Sequence, residues 1–212
     1  MTCLETELEG RPGGELLESC IPVLETERLV LRAPRFEDAR AIAAVAGDRR
    51  IAEMTANLPH PYAEKDAENW IANAWSGPDH PFLITLKTNG APIGATGFVM
   101  PELGDPEIGY WLATAHWGKG YATEAARAVV DHLFAEHGVS AVAAAARVVN
   151  PGSRRVIEKC GFQWIGVGLM RSRLLASSVP VDKFRLERST WASIKAWRDP
   201  ILRRGVPRAL AD

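Results

Sequence analysis

The stretch Glu107-Ile-Gly-Tyr-Trp-Leu112, then Ala-Thr-Ala, then His116-Trp-Gly-Lys-Gly-Tyr-Ala-Thr-Glu-Ala125 decides the fold of this chain. It predicts a strand at 107–112, a glycine-rich loop at 116–121 and a helix over about 122–137. A loop that opens directly into a helix presents several backbone N–H groups beside the positive end of the helix dipole. Such a loop can hold a diphosphate without a metal, and a plain tight turn is the alternative interpretation.

Two better-known phosphate-binding motifs do not match this loop. A P-loop requires Ser or Thr after its Gly-Lys pair, whereas Lys119 is followed by Gly120. A dinucleotide-binding fingerprint requires a third glycine at the position of Thr123. We therefore assign the loop to neither of these two classes.

The residues around the loop predict strands and helices in alternation. Asn89-Gly90 is a strong hairpin signal between two apolar runs, so three consecutive strands form an antiparallel meander that ends at 107–112. From apolar periodicity we predict strands at 26–33, 82–87, 92–100, 107–112, 139–148, 164–172 and 181–189, and helices at 36–46, 64–75, 122–137 and 153–159. The fold class is therefore α/β (α+β).

Length and composition indicate one compact domain with short extensions. The chain has 212 residues, of which 47% are hydrophobic and 24% charged, with a formal net charge of -1. These values exclude a disordered or fibrous protein and provide no strong field for nucleic acid or membranes. Three cysteines without metal-like spacing and an acidic chain start favour a cytoplasmic protein without a metal site. We expect an acidic arm at 1–23, the main domain at 24–194 and a basic tail at 195–212.

A second group of candidate residues follows the next predicted strand. Asn150 stands just past the strand end, Ser153 begins a short helix, and Gly161-Phe162 follows that helix. Taken alone, this pattern is typical of an N-cap, a C-cap and a core phenylalanine. Its position after the glycine-rich loop favours a functional interpretation instead.

Together, these segments resemble the GNAT superfamily of N-acetyltransferases, in the branch of ribosomal-protein-alanine N-acetyltransferases. The resemblance spans roughly residues 24–190 and also rests on Thr26-Glu-Arg-Leu-Val-Leu-Arg32, Leu58-Pro-His-Pro-Tyr62, Asp66-Ala67 with Trp70, and Gly94 with Gly97. It implies a mixed, mostly antiparallel sheet of six or seven strands with one central parallel pair, flanked by about four helices. It also implies acetyl-CoA as cosubstrate and a primary amine as acceptor, either a protein N-terminus or a small molecule.

The resemblance assigns most of the candidate residues to acetyl-CoA binding. The pyrophosphate would rest on the loop amides, and the pantetheine arm would lie beside the preceding strand like an added strand. Asn150 would bind the pantetheine amide, and Ser153 would lie near the sulfur. The implied cofactor-binding residues are Trp111, Leu112, Ala113, Trp117, Gly118, Lys119, Gly120, Tyr121, Ala122, Thr123, Asn150 and Ser153.

The same resemblance implies direct attack of a neutral amine on the thioester, which requires a base. We expect Glu107 to be that base, directly or through water, and a solvated turn carboxylate is the alternative. Ile157 stands where many superfamily members carry a tyrosine acid, so Ser153 is left to donate a proton or only a hydrogen bond. Trp117 stands where the superfamily often has Arg or Gln.

A noncatalytic acyl-CoA-binding or protein-interaction module is the alternative function. The missing tyrosine could reflect lost chemistry, and the basic tail could contact an acidic partner or nucleic acid. A homodimer through the last strands is a further option. Tyr62 and the proline-containing loop around it are expected to line the acceptor pocket, and the five histidines are interpreted as surface or cap residues.

Overall fold

A computed structural model describes residues 21–76 and 79–198, which fold around one sheet. Its strands are β1 (Leu24–Glu25), β2 (Leu29–Arg32), β3 (Asp79–Leu86), β4 (Pro92–Val99), β5 (Glu107–Leu112), β6 (Ala141–Arg147), β7 (Gln163–Ser172) and β8 (Ser177–Glu187). The spatial order is β1-β2-β3-β4-β5-β6-β8-β7. Every neighbouring pair is antiparallel except β5 and β6 at the centre, so the predicted fold class is confirmed.

Six α-helices occur in the described part of the chain. They are α1 (Ala39–Ala46), α2 (Arg49–Met54), α3 (Glu64–Ser76), α4 (Tyr121–Glu136), α5 (Pro151–Lys159) and α6 (Arg188–Arg198), with short 3-10 turns at Phe36–Asp38 and Thr114–His116. None of the helices in residues 21–76 and 79–198 is long and apolar enough to cross a membrane.

The sheet separates two hydrophobic layers. Along β3, Phe82 and Ile84 contact the layer that holds α4 and α5, whereas Leu83 contacts the layer that holds α1 and α3. This alternation follows from the two-residue period of a strand. On α4, Ala125, Val129 and Leu133 recur every four residues and are fully buried, so one stripe of this helix covers the sheet.

The structure contains three elements that the sequence did not predict. The two-residue strand β1 brings the sheet to eight strands, one more than the upper expected number. Helix α2 was interpreted as part of a connection, and α6 begins at Arg188 within the strand expected to run to 189. Lys195 and Arg198, assigned to the basic tail, belong to α6.

The ends of the chain fall largely outside the described residues. Ile21 is buried in the core, three residues before the expected domain start at 24. Residues 1–20 of the predicted acidic arm and 199–212 of the predicted basic tail lie outside the described residues.

A cleft opens between the two central strands. β5 and β6 pair only at Glu107 with Ala143 and at Ile108 with Ala144. Farther along, β5 continues to pair with β4 as far as Leu112, and β6 continues to pair with β8 as far as Arg147. The central strands therefore separate toward their carboxyl ends and leave a wedge between 109–112 and 145–147.

Candidate active site

The glycine-rich loop leaves the N-terminus of α4 without a side-chain cap. Gly118 and Gly120 have φ angles of +74° and +84°, a backbone conformation that favours glycine, and Gly120 is the N-cap residue. None of the described residues accepts a hydrogen bond from the N–H groups of residues 118–123. These N–H groups lie at the positive end of a 16-residue helix. The loop thus has the donors and the dipole that suit an anion such as a diphosphate.

The backbone of β5 faces the cleft at two alternate positions. The Ala113 N–H donates to Ile93 O at 2.8 Å, and Trp111 is paired with Ala95 two residues earlier in the same ladder. Because backbone groups alternate sides along an antiparallel strand, Trp111 and Ala113 direct theirs to β4, whereas Tyr110 and Leu112 direct theirs to the cleft. Trp111, Leu112 and Ala113 were the predicted cofactor-binding positions on this strand. Of these three, only Leu112 directs its backbone N–H into the cleft. A second N–H in the cleft belongs to Tyr110, which was not predicted.

Trp117 fastens the loop to the end of β5. Its indole Nε1–H donates to Leu112 O at 2.8 Å, although nearly half of the side chain is exposed. The side chain at the position where the sequence resemblance led us to note the absence of Arg or Gln is thus engaged with the strand, so the backbone N–H groups are the donors that the loop itself offers.

Ser153 is held from two sides at the start of α5. Asn150 is the N-cap of this helix, and its Oδ1 accepts a hydrogen bond from the Ser153 N–H at 3.0 Å. From β5, the Tyr110 hydroxyl lies 2.9 Å from Ser153 Oγ and 3.1 Å from Ser153 O. The structure therefore brings Tyr110, Asn150 and Ser153 together across the cleft.

Tyr110 is a site residue that sequence analysis did not select. Burial raises the pKa of the Tyr110 hydroxyl well above its usual value, and the hydrogen bond with Ser153 offsets this only in part. The hydroxyl therefore stays protonated at neutral pH and acts as a neutral hydrogen-bonding group.

Glu107 lies at the opposite end of β5 from the glycine-rich loop. It is exposed, and none of the described residues forms an ion pair or a hydrogen bond with its carboxylate. At the rise of a β-strand, the four residue steps from Glu107 to Trp111 span about 13 Å. The carboxylate is thus open to water and separated from the loop end of the cleft.

On the other face of the sheet, aromatic residues lie beside the loop that precedes α3. Tyr62, Trp70 and Trp111 pack against a small buried cluster formed by Ala39, Ile42, Ala67, Ile71 and Leu83. Burial raises the pKa of Tyr62 to about 12. The expected acceptor-side residue Tyr62 and the cleft residue Trp111 thus share one apolar cluster.

The turn between β7 and β8 contacts that same loop. The Arg173 N–H donates to Ala56 O at 2.8 Å, and the Arg147 guanidinium at the end of β6 donates to Glu53 O. These contacts hold the segment around 53–62 against the carboxyl end of the cleft.

Two other residue types have structural roles. Cys160 is buried, and burial raises the pKa of its thiol to about 11, which disfavours the nucleophilic thiolate. His80, His132 and His137 form an aromatic cluster with Phe98. His137 is exposed and is the C-cap of α4, as predicted, whereas the interpretation of half-buried His80 and His132 as simple surface or cap residues is wrong. Among the described residues, no group of three His, Cys, Asp or Glu side chains could hold a metal ion.

The comparisons with known proteins agree with this architecture. Residues 28–163 match the family model of the acetyltransferase (GNAT) domain. The chain is 31% identical over 166 residues to the uncharacterized N-acetyltransferase p20 of Bacillus licheniformis, which covers 76% of this chain and 92% of the relative. The chain therefore belongs to the GNAT acetyltransferase family.

Solved structures show the same fold. RimJ of Mycobacterium smegmatis, solved in complex with CoA-disulfide, superimposes with a TM-score of 0.68 at 22% identity and covers 84% of this chain and 94% of its own. The microcin C7 self-immunity acetyltransferase MccE, solved with acetyl-CoA and AMP, superimposes with a TM-score of 0.67 at 18% identity. This match covers 76% of this chain and 93% of the MccE chain.

Proposed function

We propose that this protein transfers the acetyl group of acetyl-CoA to a primary amine by direct attack in a ternary complex. The observation that carries the proposal is the set of uncapped N–H groups at 118–123, placed at the wide end of the cleft between β5 and β6. Family membership supports acetyl transfer in general. The cosubstrate, the acceptor class and the residue roles are the proposed part.

The residues around the cleft fit acetyl-CoA. The N–H groups of 118–123 would hold the pyrophosphate, and the N–H groups of Tyr110 and Leu112 would bond the pantetheine arm and the thioester oxygen. The Asn150 side-chain oxygen is occupied by the Ser153 N–H, which leaves its NH₂ group to donate to a pantetheine carbonyl. Bound in this way, acetyl-CoA supplies an activated acetyl group at the cleft.

Glu107 would act as the base through water. An alkyl ammonium must lose a proton before it can attack, and an exposed carboxylate can receive that proton along a short water chain. The distance of about 13 Å along β5 excludes direct contact with an amine near Trp111. We therefore propose the water-mediated form of the expected base.

Ser153 would stabilise the leaving thiolate by a hydrogen bond. A thiol has a pKa of about 8.5, far below that of an aliphatic hydroxyl or of buried Tyr110, so full proton transfer from Ser153 or Tyr110 to the thiolate is strongly uphill. A donated hydrogen bond carries no such cost and favours the negative sulfur. The C–N bond forms and the C–S bond breaks with its electron pair on sulfur. The proton that the nitrogen loses after attack leaves through water to solvent, and the released thiolate takes a proton from water.

The acceptor is proposed to be a peptide N-terminus or a small monoamine. The surface beside the loop at 55–62 carries Tyr62 and Trp70. The backbone N–H of Arg173 donates to Ala56 O in this loop, and the Arg147 guanidinium donates to Glu53 O in α2. A polyamine would require clustered carboxylates there. The Tyr62 hydroxyl feels the opposite charges of Asp66 and Arg173, a mixed pair rather than a cluster of carboxylates, which supports an acceptor with a single amine.

Calorimetric titration with acetyl-CoA, dephospho-CoA and ATP tests the proposal first. We expect micromolar binding of acetyl-CoA that is lost in Gly120→Val, because a β-branched residue cannot adopt φ +84° without strain. Gly104→Val is the matched control, since Gly104 has φ +106° with open space around it and lies in the turn before β5. Absence of binding by the folded protein would overturn the proposal and favour an interaction module.

Turnover then tests the residue roles. With a panel of peptides and small amines, thiol release should fall at least about tenfold in Glu107→Gln and in Ser153→Ala. Ser193→Ala is the control, because Ser193 is an exposed α6 serine whose hydroxyl bonds Ser189 O. Unchanged turnover in both site variants would remove these two assignments and leave acetyl transfer itself standing.

The homodimer through the last strands and the cytoplasmic location stay predictions. β7 is an edge strand, and its residues Val167 and Leu169 are 63% and 71% exposed. An exposed apolar edge of this kind supports the homodimer. Sedimentation velocity of the wild type and of Leu169→Lys tests it. A wild type that sediments as a monomer at all concentrations would remove the dimer from the proposal.

A further inference from the structure

Arg28 connects the start of β2 to the glycine-rich loop. Its Nη1 donates to Lys119 O at 3.1 Å, its guanidinium carbon lies 4.4 Å from the centre of the Tyr121 ring, and a Cβ placed on Gly120 would lie 3.4 Å from its Nη2. One side chain thus contacts Lys119 and Tyr121 and lies close beside Gly120 between them. The side chain is still 43% exposed and lines an open groove of about 900 Å³ along α4.

Glu124 binds the two Arg28 nitrogens, Nε and Nη2, that do not contact Lys119. Its Oε2 lies 2.7 Å from Arg28 Nε and 2.6 Å from Nη2, while Oε1 accepts from the Arg28 N–H at 2.8 Å and from Thr26 Oγ1 at 2.6 Å. Its side chain is only 16% exposed. Burial opposes ionisation of this carboxyl, but the hydrogen bonds from Thr26 and Arg28 outweigh burial and lower its pKa.

The position of Glu124 creates an electrostatic conflict with a bound diphosphate. It lies in the first turn of α4, the same helix end whose N–H groups face the loop. A carboxylate there competes with an anionic ligand for the positive end of the dipole. Neutralised by Arg28 and turned toward Thr26, it no longer repels the ligand.

We infer that Arg28 is a positioning residue that holds the loop at 118–123 in its diphosphate-binding shape and neutralises Glu124 beside it. The inference rests on the proposed function, because it concerns the same acetyl-CoA site. Arginine suits this role since its planar fork can bind the Glu124 carboxylate and the Lys119 carbonyl at once, while its flat face stacks on Tyr121. A lysine offers one point charge and cannot make the three contacts together.

The test measures how substitution of Arg28 affects cosubstrates with and without a diphosphate. We expect Arg28→Lys to raise the Kd and KM for acetyl-CoA and the Kd for dephospho-CoA about tenfold, since a lysine cannot keep both the contact with Glu124 and the hydrogen bond to Lys119 O. Turnover of S-acetylpantetheine, which lacks the diphosphate, should stay within about twofold of wild type. Equal effects on S-acetylpantetheine and acetyl-CoA would show a merely structural role and overturn the inference.

Arg32→Lys is the matched control. Arg32 also forms a two-point pair with a carboxylate, through Nη1 and Nη2 to Asp38 at 2.8 Å each, and it stands four residues farther along the same strand. It should leave the ratio of the acetyl-CoA and S-acetylpantetheine KM values unchanged. A change in this ratio equal to that of Arg28→Lys would also overturn the inference.

A double variant separates charge from loop shape. Arg28→Ala removes the cation that neutralises Glu124 and leaves only the hydrogen bonds from Thr26 Oγ1 and the backbone N–H of residue 28. Arg28→Ala with Glu124→Gln should therefore bind acetyl-CoA more tightly than Arg28→Ala alone and more weakly than wild type. If the double variant binds no better than the single one, neutralisation of Glu124 is not part of the role. If wild type binds no acetyl-CoA, the proposed function fails; if wild type binds and Arg28→Lys equals it, only this inference fails.

Discussion

The hydroxyl of Tyr110 reaches from β5 to the start of α5, where it lies 2.9 Å from Ser153 Oγ. Tyr110→Phe removes it and keeps the ring, so we expect kcat for acetyl transfer to fall up to about tenfold with little change in the KM for acetyl-CoA. The reason is that Ser153 Oγ loses the partner that orients it toward the leaving sulfur.

A loosened sheet could lower kcat without any such role. Thr85→Val is therefore the control, because it removes another buried hydroxyl that lies away from the cleft. The Thr85 hydroxyl donates to Val30 O, and the two oxygens are 2.9 Å apart. If both variants reduce kcat equally, or if Tyr110→Phe raises KM alone, Tyr110 does not position Ser153.

At the scale of single residues, the sequence predicted those parts of the site whose residues are neighbours along the chain. The loop at 116–123 and the Asn150–Ser153 pair each form within a few residues, so turn and capping rules predict their local structure. Tyr110 and Arg28 act through partners 43 and 91 or more residues away. Both pairings join a strand to the start of a helix, so they depend on how α4 and α5 pack on the sheet, which local rules for turns and caps do not predict.

Among the elements, β4 must approach β5 closely. A Cβ on Gly94 would lie 2.9 Å from Leu112 Cα, and still nearer to the carbonyl of Trp111. We expect Gly94→Ala to lower the free energy of unfolding by at least about 2 kcal/mol, because the backbone of β5 would have to shift. Gly109→Ala on β5 is the control, since a Cβ there meets nothing within 4 Å. Urea denaturation that shows equal losses for both variants would contradict the prediction.

The histidine cluster under β4 makes stability depend on pH. Burial lowers the pKa of His132 below its usual value, and His137 and His80 lower it further against a smaller opposing effect of Glu136. The unfolded chain then binds more protons than the fold, so the free energy of unfolding is highest above about pH 6.5 and decreases as pH falls below it. Urea titrations at pH 7.5 and 5.5 should show that the free energy of unfolding decreases less between these pH values in His132→Gln than in wild type. An equal decrease would mean that groups other than His132 cause the pH dependence.

The elements that the sequence missed depend on tertiary contacts. Helix α2 has six residues, too few for a periodic signal. Helix α6 follows β8 without a break and is fixed by Trp191, which stacks on Phe134 at 4.8 Å and donates to Asp131 Oδ1 at 2.5 Å. The longer periodic elements, such as α4 and the β3–β4 hairpin, were predicted because their own residues specify them.

Across the whole molecule, the sheet consists of two halves that are joined weakly. β1 to β5 form one run of antiparallel pairs and β6 to β8 another, while β5 and β6 share only two register positions. Arg28, Tyr110 and Trp117 add side-chain links around the resulting cleft. A ligand that bonds β5 on one wall and α5 on the other would complete the connection that the strands leave open.

Acetyl-CoA should therefore stabilise the protein as a whole and protect both walls. At a free concentration of 100 times its Kd, it should raise the free energy of unfolding by about 2.7 kcal/mol. Hydrogen exchange should slow at Tyr110 and Leu112, at the loop amides of 118–123 and in the first turn of α5, because these groups would be bonded or covered. Protection confined to the loop would mean that the diphosphate binds there while the thioester arm does not enter the cleft, and the roles of Ser153 and Tyr110 would then be lost with it.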